Sequence, residues 1–287
     1  MYAIIGILIV IASVFGGFLM HGGDVAVLVQ PSELLIIWGA AIGSMIIATP
    51  VPVIVMIGKN FGKIVSGDKY GKQRYLETLR MLNDLFQTAR RQGMVKLEPD
   101  IENPAESEIF KRYPNFLNDQ HAVHFVCDTL RMAITGGIPP FDLDQLVDAD
   151  IEVHHEHNQA PVHSLTTVAD ALPGLGIVAA VLGIVITMGS LGGPPEELGH
   201  KVAAALVGTF LGVLTCYGFV SPLAGAMSSR DESEASYYRV LKSGLIAFIK
   251  GHPPIMAIEF ARRTIPHGER PTFLEMETAC KASPTKT

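Results

Sequence analysis

The sequence predicts an all-α integral membrane protein with four transmembrane helices and a helical cytoplasmic domain between the second and the third. Its 287 residues are 48% hydrophobic and only 17% charged, whereas an average soluble domain is about one quarter charged. The charge is also segregated, because long uncharged runs alternate with dense polar blocks, and no strand pattern stands out. Four runs contain no Asp, Glu, Lys or Arg: 1–20, 34–58, 171–195 and 202–229.

Each uncharged run is long enough to cross a bilayer. With a rise of about 1.5 Å per residue, roughly 20 residues of α-helix span a hydrocarbon core of ~30 Å. Buried helices of a soluble protein are the alternative, but these average only ~10–14 residues. The first run lacks a basic segment ahead of its apolar residues and three more runs follow. We therefore interpret it as a retained helix and not as a cleaved signal peptide.

The distribution of Lys and Arg predicts the orientation of the helices. Segments 21–33 and 191–200 contain neither residue. Basic residues are concentrated after the second and fourth runs instead, at Lys59, Lys63, Lys69, Lys72, Arg74, Arg80, Arg230, Arg239, Lys242 and Lys250. Because cytoplasmic loops carry the excess of Lys and Arg, we expect both termini and the block between helices two and three to be cytoplasmic.

The chain is predicted to have four parts. They are helices one and two with a short outer loop (1–58), a cytoplasmic helical domain (59–170), helices three and four (171–229), and a cytoplasmic tail (230–287). The end of the cytoplasmic domain has a polar helical pattern that leads directly into helix three. The tail is expected to be helical until the break at His252-Pro253-Pro254.

The cytoplasmic domain begins with a helical pattern. Leu79, Leu82 and Phe86 recur at helical spacing, and Gly93 follows as a typical helix stop. Asn103-Pro104 predicts the start of another short helix, because Asn caps well and Pro suits the first turn.

Small residues and prolines distinguish the uncharged runs from simple lipid-facing helices. Glycines let membrane helices approach closely, and they occur at Gly39, Gly43, Gly176, Gly183, Gly208 and Gly212. Pro173 and Pro222 lie at the inner ends of runs three and four, where we expect them at similar depth. Pro222 cannot donate a hydrogen bond to the Gly218 carbonyl. That carbonyl then marks either a simple kink or a place that faces protein or a water-filled cavity.

The four runs contain no titratable side chain of the kind that a proton relay needs at membrane depth. Asp170 lies only at the inner edge of the third run. We infer that this chain does not conduct protons alone and that a partner must supply the carboxylate. An intramembrane enzyme is not expected either, because the runs lack paired aspartates or a nucleophile with a base.

Two further groups of reactive side chains have no clear site pattern. The cluster His154-His155-Glu156-His157 matches neither H-E-x-x-H nor H-x-x-E-H. We interpret it as a solvated helix face and predict no metal site. Cys127, Cys216 and Cys280 are scattered and are best interpreted as reduced thiols.

Several short motifs are distributed over nearly the whole chain: Arg90-x-x-Gly93-x-x-x-Leu97-Glu98, Asp100–Pro104, Glu106–Phe110, Asp170–Pro173, Gly176–Ala180, Val207–Gly212, Tyr217–Pro222, Glu259-Phe260 and Glu269–Pro271. Together these motifs resemble the MotA family of flagellar stator subunits, within the MotA/TolQ/ExbB superfamily. The chain departs from the family pattern at Gly174-Leu175, where Ala-Phe is usual, and in the second arginine, Arg91, beside Arg90.

The resemblance implies the role of the charged residues and of the two prolines. Arg90 and Glu98 correspond to the rotor interface, which engages opposite charges on the rotor switch protein FliG. The ion path and its coupling to movement are assigned to Asp170, Pro173, Ala180, Thr209, Tyr217 and Pro222.

The resemblance also implies partners and a location. A MotB-like, peptidoglycan-binding subunit with a single membrane helix would supply the missing aspartate. Five copies of this chain would surround two such helices, with helices three and four at the centre. The assembly would lie in the lipid of the bacterial inner membrane, with no cofactor, no nucleic acid and no enzymatic activity.

The side chains along the implied ion path favour proton coupling. Sodium needs a cage of several oxygen ligands, and sodium-driven relatives carry a threonine at the position of Ala180. This chain offers the hydroxyl of Thr209 there, and the third run has no hydroxyl before Thr187, near its outer end. A cage completed by waters and backbone carbonyls is the alternative.

Two other functions remain open at this point. A TolQ/ExbB-type proton-driven energiser shares a long proline-bearing helix pair, but it has fewer membrane helices and lacks the insertion with Arg90 and Glu98. A channel or scaffold without energy coupling is the other alternative. Co-purification with a single-span, aspartate-bearing partner would separate these functions.

Overall fold

The fold is described from a computed structural model covering residues 2–65, 69–189, 192 and 194–281. Parts of the predicted outer loop (191 and 193) and of the predicted tail (282–287) lie outside these residues. All regular structure within them is helical. The α-helices are α1 (Tyr2–Met20), α2 (Pro31–Ala48), α3 (Val51–Val65), α4 (Lys72–Gln92), α5 (Glu98–Glu102), α6 (Pro114–Leu117), α7 (Gln120–Thr135), α8 (Pro140–Met188), α9 (Pro195–Thr215), α10 (Ser221–Ile249), α11 (Pro254–Thr264) and α12 (Phe273–Lys281).

Four helical stretches among the described residues are long and apolar enough to cross a membrane. They begin at Ala3, Val25, Pro140 and Pro195, which confirms the predicted number. The predicted extent of the second was wrong. It ends at Ala48, because Thr49 before Pro50 is extended (φ −124°, ψ 128°) and a residue that precedes proline avoids the helical region.

Three further local predictions of where helices continue or end are confirmed, and a fourth was wrong. Helix α8 is continuous for 49 residues, which confirms that the polar pattern leads into the third membrane helix. Helix α4 ends at Gly93, whose φ of +90° suits glycine. Helix α10 ends before the predicted break at His252. The short helix predicted to begin at Asn103 was wrong, because turns follow α5 there and the Asn103 amide caps α5 on the Pro99 carbonyl.

The chain divides into two compact units. The first unit contains residues 1–67 and 158–230, and the second unit contains residues 68–157 and 231–287. Helices α8 and α10 contribute residues to both.

Close backbone contact between α8 and α9 organises the first unit. A Cβ on Gly176 would lie 2.8 Å from the Gly208 carbonyl oxygen and 3.1 Å from the Gly212 Cα. A Cβ on Gly183 would lie 2.8 Å from the Cβ of Ala205. Side chains at these positions would collide with backbone, so the predicted packing role of these glycines is confirmed. The apolar core around this contact includes Ile37, Ala41, Val162, Leu165, Ala169, Leu172, Cys216, Val220 and Ala224.

The predicted packing role of the α2 glycines was wrong for contacts within this chain. A Cβ on Gly39 or Gly43 would meet no atom within 4 Å among the described residues. The buried face of α2 is formed by Glu33, Ile37 and Ala41 instead, which are spaced at i, i+4 and i+8 and so share one side of the helix.

The second unit has a core built on α4. Leu79, Leu82 and Phe86 are all fully buried, as their spacing predicted. Phe86 stacks on Phe248 of α10 with ring centroids 4.3 Å apart. Burying each such side chain contributes about 1.5–3 kcal/mol to folding.

Buried polar groups fix the position of α4 within this core. The hydroxyls of Thr78 and Tyr237 lie 2.7 Å apart. Arg74, which is only 8% exposed, donates to Asp119 at 3.2 Å. Because unpaired polar groups are costly inside a core, these contacts favour one arrangement of α4, and hence of the charged turn at its end.

Candidate functional site

The predicted charged surface lies at the end of α4. Arg90 is in the last turn of α4 and Glu98 begins α5, so that Gly93 and the 3-10 turn Met94–Leu97 separate them. Leu97 is fully buried and acts as the anchor of this turn. Arg90 and Glu98 are both exposed, because the residues that hold the turn to the core alternate with them.

Arg90 and Glu98 have no ion-pair or hydrogen-bond partner in the part of the chain that the structure describes, and the same holds for Arg91 and Lys96 between them. Asp84 accepts hydrogen bonds from Arg112 at 3.0 Å and from Tyr113 at 2.8 Å. Glu102 pairs with Arg131 at 2.7 Å. The turn therefore presents unpaired charges of both signs to solvent, beside Asp84 and Glu102, which are already paired.

A second group of predicted residues meets where α8 contacts α9. Ala180 is 8% exposed, and its amide nitrogen would lie 3.2 Å from a Cβ on Gly208. Thr209 follows Gly208 and is half-buried, and its Cα would lie 3.3 Å from a Cβ on Gly176. The structure thus brings Ala180 and Thr209 to the same level of the helix pair. This level offers one hydroxyl, that of Thr209, because Thr187 lies seven residues further along α8, where it donates to the Gly183 carbonyl at 2.7 Å.

The two prolines lie at different levels, contrary to prediction. The Leu172 carbonyl oxygen, just before Pro173, would lie 2.6 Å from a Cβ on Gly212. Pro222 is ten residues beyond Gly212, which corresponds to roughly 15 Å along a helix. Because α8 and α9 pack antiparallel, Pro222 lies far from the level of Pro173 along the helix axis, on the side away from Ala180. Asp170 is exposed one turn before Pro173.

The helix widens in the turn before Pro222, which the sequence pattern did not predict. Residues Cys216–Val220 form a π-turn between α9 and α10, and the Ser221 amide donates to the Cys216 carbonyl. Pro222 lacks the donor that would continue the α pattern, and π-turns are frequent at functional positions in helices. Tyr217 lies in this turn and is 68% exposed within the chain.

Glu33 was missed by the sequence reasoning. The second uncharged run starts at residue 34, yet α2 starts at Pro31 and includes Glu33 in its first turn. Its side chain is 5% exposed, and its Oε2 atom has no hydrogen-bond partner. The prediction that no titratable group lies inside the membrane helices was therefore wrong. Pro31 was the available signal, because proline is typical of the first helical position.

The predicted solvated face of the histidine cluster is only partly right, because Glu156 and His157 are exposed whereas His154 and His155 are half-buried. His154 Nε2 lies 3.5 Å from a carboxylate oxygen of Glu234, and His155 Nδ1 lies 2.8 Å from one of Asp231. These contacts join α8 to α10 within the second unit. No group of three metal-binding side chains occurs among the described residues.

Comparison with known proteins gives two family matches. Residues 4–93 match the model of the motility protein A N-terminal region, and residues 118–239 match that of the MotA/TolQ/ExbB proton channel family. The four membrane-length helices and the glycine-packed helix pair therefore belong to a membrane protein of the proton channel class.

Individual relatives show which family within this class the chain resembles. Motility protein A of Escherichia coli is 42% identical over 98% of this chain and 96% of its own length. Chemotaxis protein LafT of Vibrio parahaemolyticus is 37% identical over 96% of this chain and 97% of its own length. The solved flagellar MotAB stator complex from Bacillus subtilis has the same fold, with a TM-score of 0.77, 24% identity and coverage of 93% of this chain and 97% of that one. The chain belongs to the MotA family and is homologous to flagellar stator proteins.

Proposed function

We propose that this chain is the ring-forming subunit of a flagellar stator, which couples proton flow to torque on the rotor switch ring. The observation that carries the proposal is the unpaired charge at the turn between α4 and α5. Arg90 and Glu98 are exposed and free, whereas the nearby Asp84 and Glu102 are occupied by Arg112 and Arg131. Free charges of both signs suit a surface that repeatedly makes and breaks contacts with opposite charges on a rotor protein such as FliG.

The helices supply a candidate route for coupling. Helices α8 and α10 each contribute residues to both units, and the π-turn before Pro222 is a natural site of local adjustment. We infer that Pro173 and Pro222 transmit changes along the ion path to the charged turn. Asp170, Ala180, Thr209 and Tyr217 would line or flank that path.

The proposed topology places the four membrane-length helices in the inner membrane. Both termini, residues 59–170 and the tail from residue 230 would be cytoplasmic, as the Lys and Arg distribution suggests. The stator complexes among the structural relatives support a MotB-like partner that brings an aspartate to the helix pair. Five copies of this chain around two partner helices would complete the stator.

The proposal is tested by complementation together with purification. The chain is expressed with an aspartate-bearing, single-span partner in a motile bacterium that lacks its own stator. We expect rotation, co-purification of the two proteins, and loss of rotation when the partner's aspartate is replaced by asparagine. Purification of the chain alone as a conducting oligomer would contradict the proposal, as would co-purification with a partner that energises another envelope machine.

A further inference from the structure

Helix α2 carries a buried carboxyl group near its N-terminus. Glu33 is 5% exposed, and its Oε2 atom has no hydrogen-bond partner. Other acids near the outer helix ends are treated differently. Glu196 is exposed, and Glu197 pairs with Lys201 at 2.8 Å. Glu33 is therefore not an ordinary solvated acid in the first turn of a helix.

The backbone of α9 makes room for this carboxyl group. A Cβ on Gly208 would lie 2.6 Å from Glu33 Oε2, 3.1 Å from the Ala179 Cβ and 3.2 Å from the Ala180 amide nitrogen. Gly208 thus serves two purposes at once, because it lets α8 approach α9 and lets the Glu33 carboxyl lie against the helix pair. No other residue type would leave both spaces open.

The carboxyl group is at the level already assigned to the ion path. Ala180 borders the same space, and Thr209 is the residue after Gly208. An ionised carboxylate without a partner is strongly disfavoured in a buried, low-dielectric setting. Ionisable groups inside membrane helices are typically associated with ion pathways. Both considerations favour a group that binds and releases a proton.

We propose that Glu33 is a second proton-binding carboxyl of the ion path, supplied by this chain itself. This proposal rests on the proposed stator function. The Glu33 carboxylate takes a proton from hydronium on the outer side, which leaves water, and becomes a neutral carboxylic acid. It then gives that proton to the carboxylate of the partner's aspartate and is ionised again. One O–H bond forms and one breaks in each transfer, and no other reactant is needed.

The test is the speed of single motors as a function of load, in cells that carry the full complex. At low load the speed is limited by ion transfer, whereas near stall it is limited by the mechanical load. For Glu33→Gln, which keeps the shape but cannot relay a proton, we expect a several-fold lower speed at low load and an unchanged stall torque. Glu33→Asp should restore part of the low-load speed. Glu196→Gln, at an exposed acid, is the matched control and should behave as wild type.

Two glycine variants test the geometry independently. Gly208→Ala should displace the carboxyl and reduce low-load speed, whereas Gly225→Ala is the control, since a Cβ there would meet nothing within 4 Å among the described residues. Membrane levels of every variant are measured by immunoblot. Wild-type speed of Glu33→Gln at all loads would overturn the relay. Equal loss at all loads with reduced membrane levels would also overturn it and assign Glu33 a structural role. Failure of the wild-type chain to rotate any motor would instead contradict the stator function.

Discussion

Gly176 of α8 lies directly against Gly208 of α9, so that a Cβ on Gly176 would stand 2.8 Å from the Gly208 carbonyl oxygen. The neighbouring atom is backbone and cannot rotate away. The two helices that we assign to the ion path can therefore approach this closely because neither glycine has a side chain. Even a small side chain at either position should lower the stability of the first unit.

Gly176→Ala should weaken the first unit, because overpacking a close contact typically costs about 1–3 kcal/mol. We expect less protein in the membrane and poor motility in soft agar. Gly174→Ala is the matched control two residues away, since a Cβ at that position would meet nothing within 4 Å in the described structure. Normal motility and membrane levels in Gly176→Ala would show that the helices can separate.

Reversing the charges of Arg90 and Glu98, in the turn between α4 and α5, should impair rotation without affecting folding. Exposed ion pairs contribute only ~0.2–1 kcal/mol each, so neutralising either Arg90 or Glu98 should reduce swimming partially. The double variant Arg90→Glu, Glu98→Lys should not swim, and matching reversals on the rotor protein should partly restore swimming.

The control for charge reversal is Glu108→Lys, because the Glu108 side chain is 93% exposed and its ion pair to Lys111 is long, at 4.0 Å. This variant should swim normally. Normal swimming of the double variant as well would remove the basis for a rotor interface at this turn.

Pro222→Ala should abolish rotation while leaving insertion and partner binding intact. Alanine supplies the missing amide donor, so the π-turn before it is free to become a regular α-helix. Tethered-cell rotation and co-purification with the partner measure the two properties separately. Ser221→Ala, at an exposed neighbour, should rotate normally. A Pro222→Ala variant that swims like wild type would leave the π-turn without a coupling role.

Swimming should depend on protons and not on sodium. The level of the helix pair next to Gly208 offers the hydroxyl of Thr209 and the carboxyl of Glu33, whereas Ala180 has an apolar side chain. One hydroxyl and one carboxyl are too few oxygen ligands for a dehydrated sodium ion. Speed at fixed pH should be unchanged when sodium is replaced by potassium, and a protonophore should stop rotation. Speed that collapses without sodium and survives the protonophore would reverse this assignment.

The thiol of Cys127 should react very slowly with alkylating reagents in the folded protein. Its side chain is 3% exposed, and burial raises the pKa of the thiol to about 12. Since the thiolate is the reactive form, alkylation at neutral pH should be very slow and should become fast after unfolding in detergent and urea. Cys280, whose thiol is half-buried with a pKa raised to about 11, is the internal comparison. Peptide mass spectrometry follows both, and rapid modification of native Cys127 would mean that α7 opens from the core.

Sequence patterns predicted the helices well because their signals are local. Leu79, Leu82 and Phe86 mark the buried face of α4 through their spacing, and Gly93 ends the helix through its own conformational freedom. Contacts between distant segments were not predictable. The Arg74–Asp119 pair joins residues 45 positions apart, and nothing in either neighbourhood specifies the other.

The errors in the membrane region have a common physical origin. Its helices were delimited by charge, which placed Glu33 in a loop even though a helix can begin with an acidic first turn. The levels of Pro173 and Pro222 were judged from distance along the chain. The actual level depends on how α9 slides along α8, and the contact of Gly212 with Leu172 fixes it.

The π-turn at Cys216–Val220 also changes the direction in which the side chains of the following helix point. One extra residue in a helical turn rotates everything that follows by about 100° relative to an uninterrupted α-helix. Residues of α9 and α10 that appear to share a stripe on a single helical wheel therefore point in different directions. A one-residue deletion inside the turn would realign the wheel and redirect every side chain of α10, so a change in its length should disrupt more contacts than the substitution of a single residue.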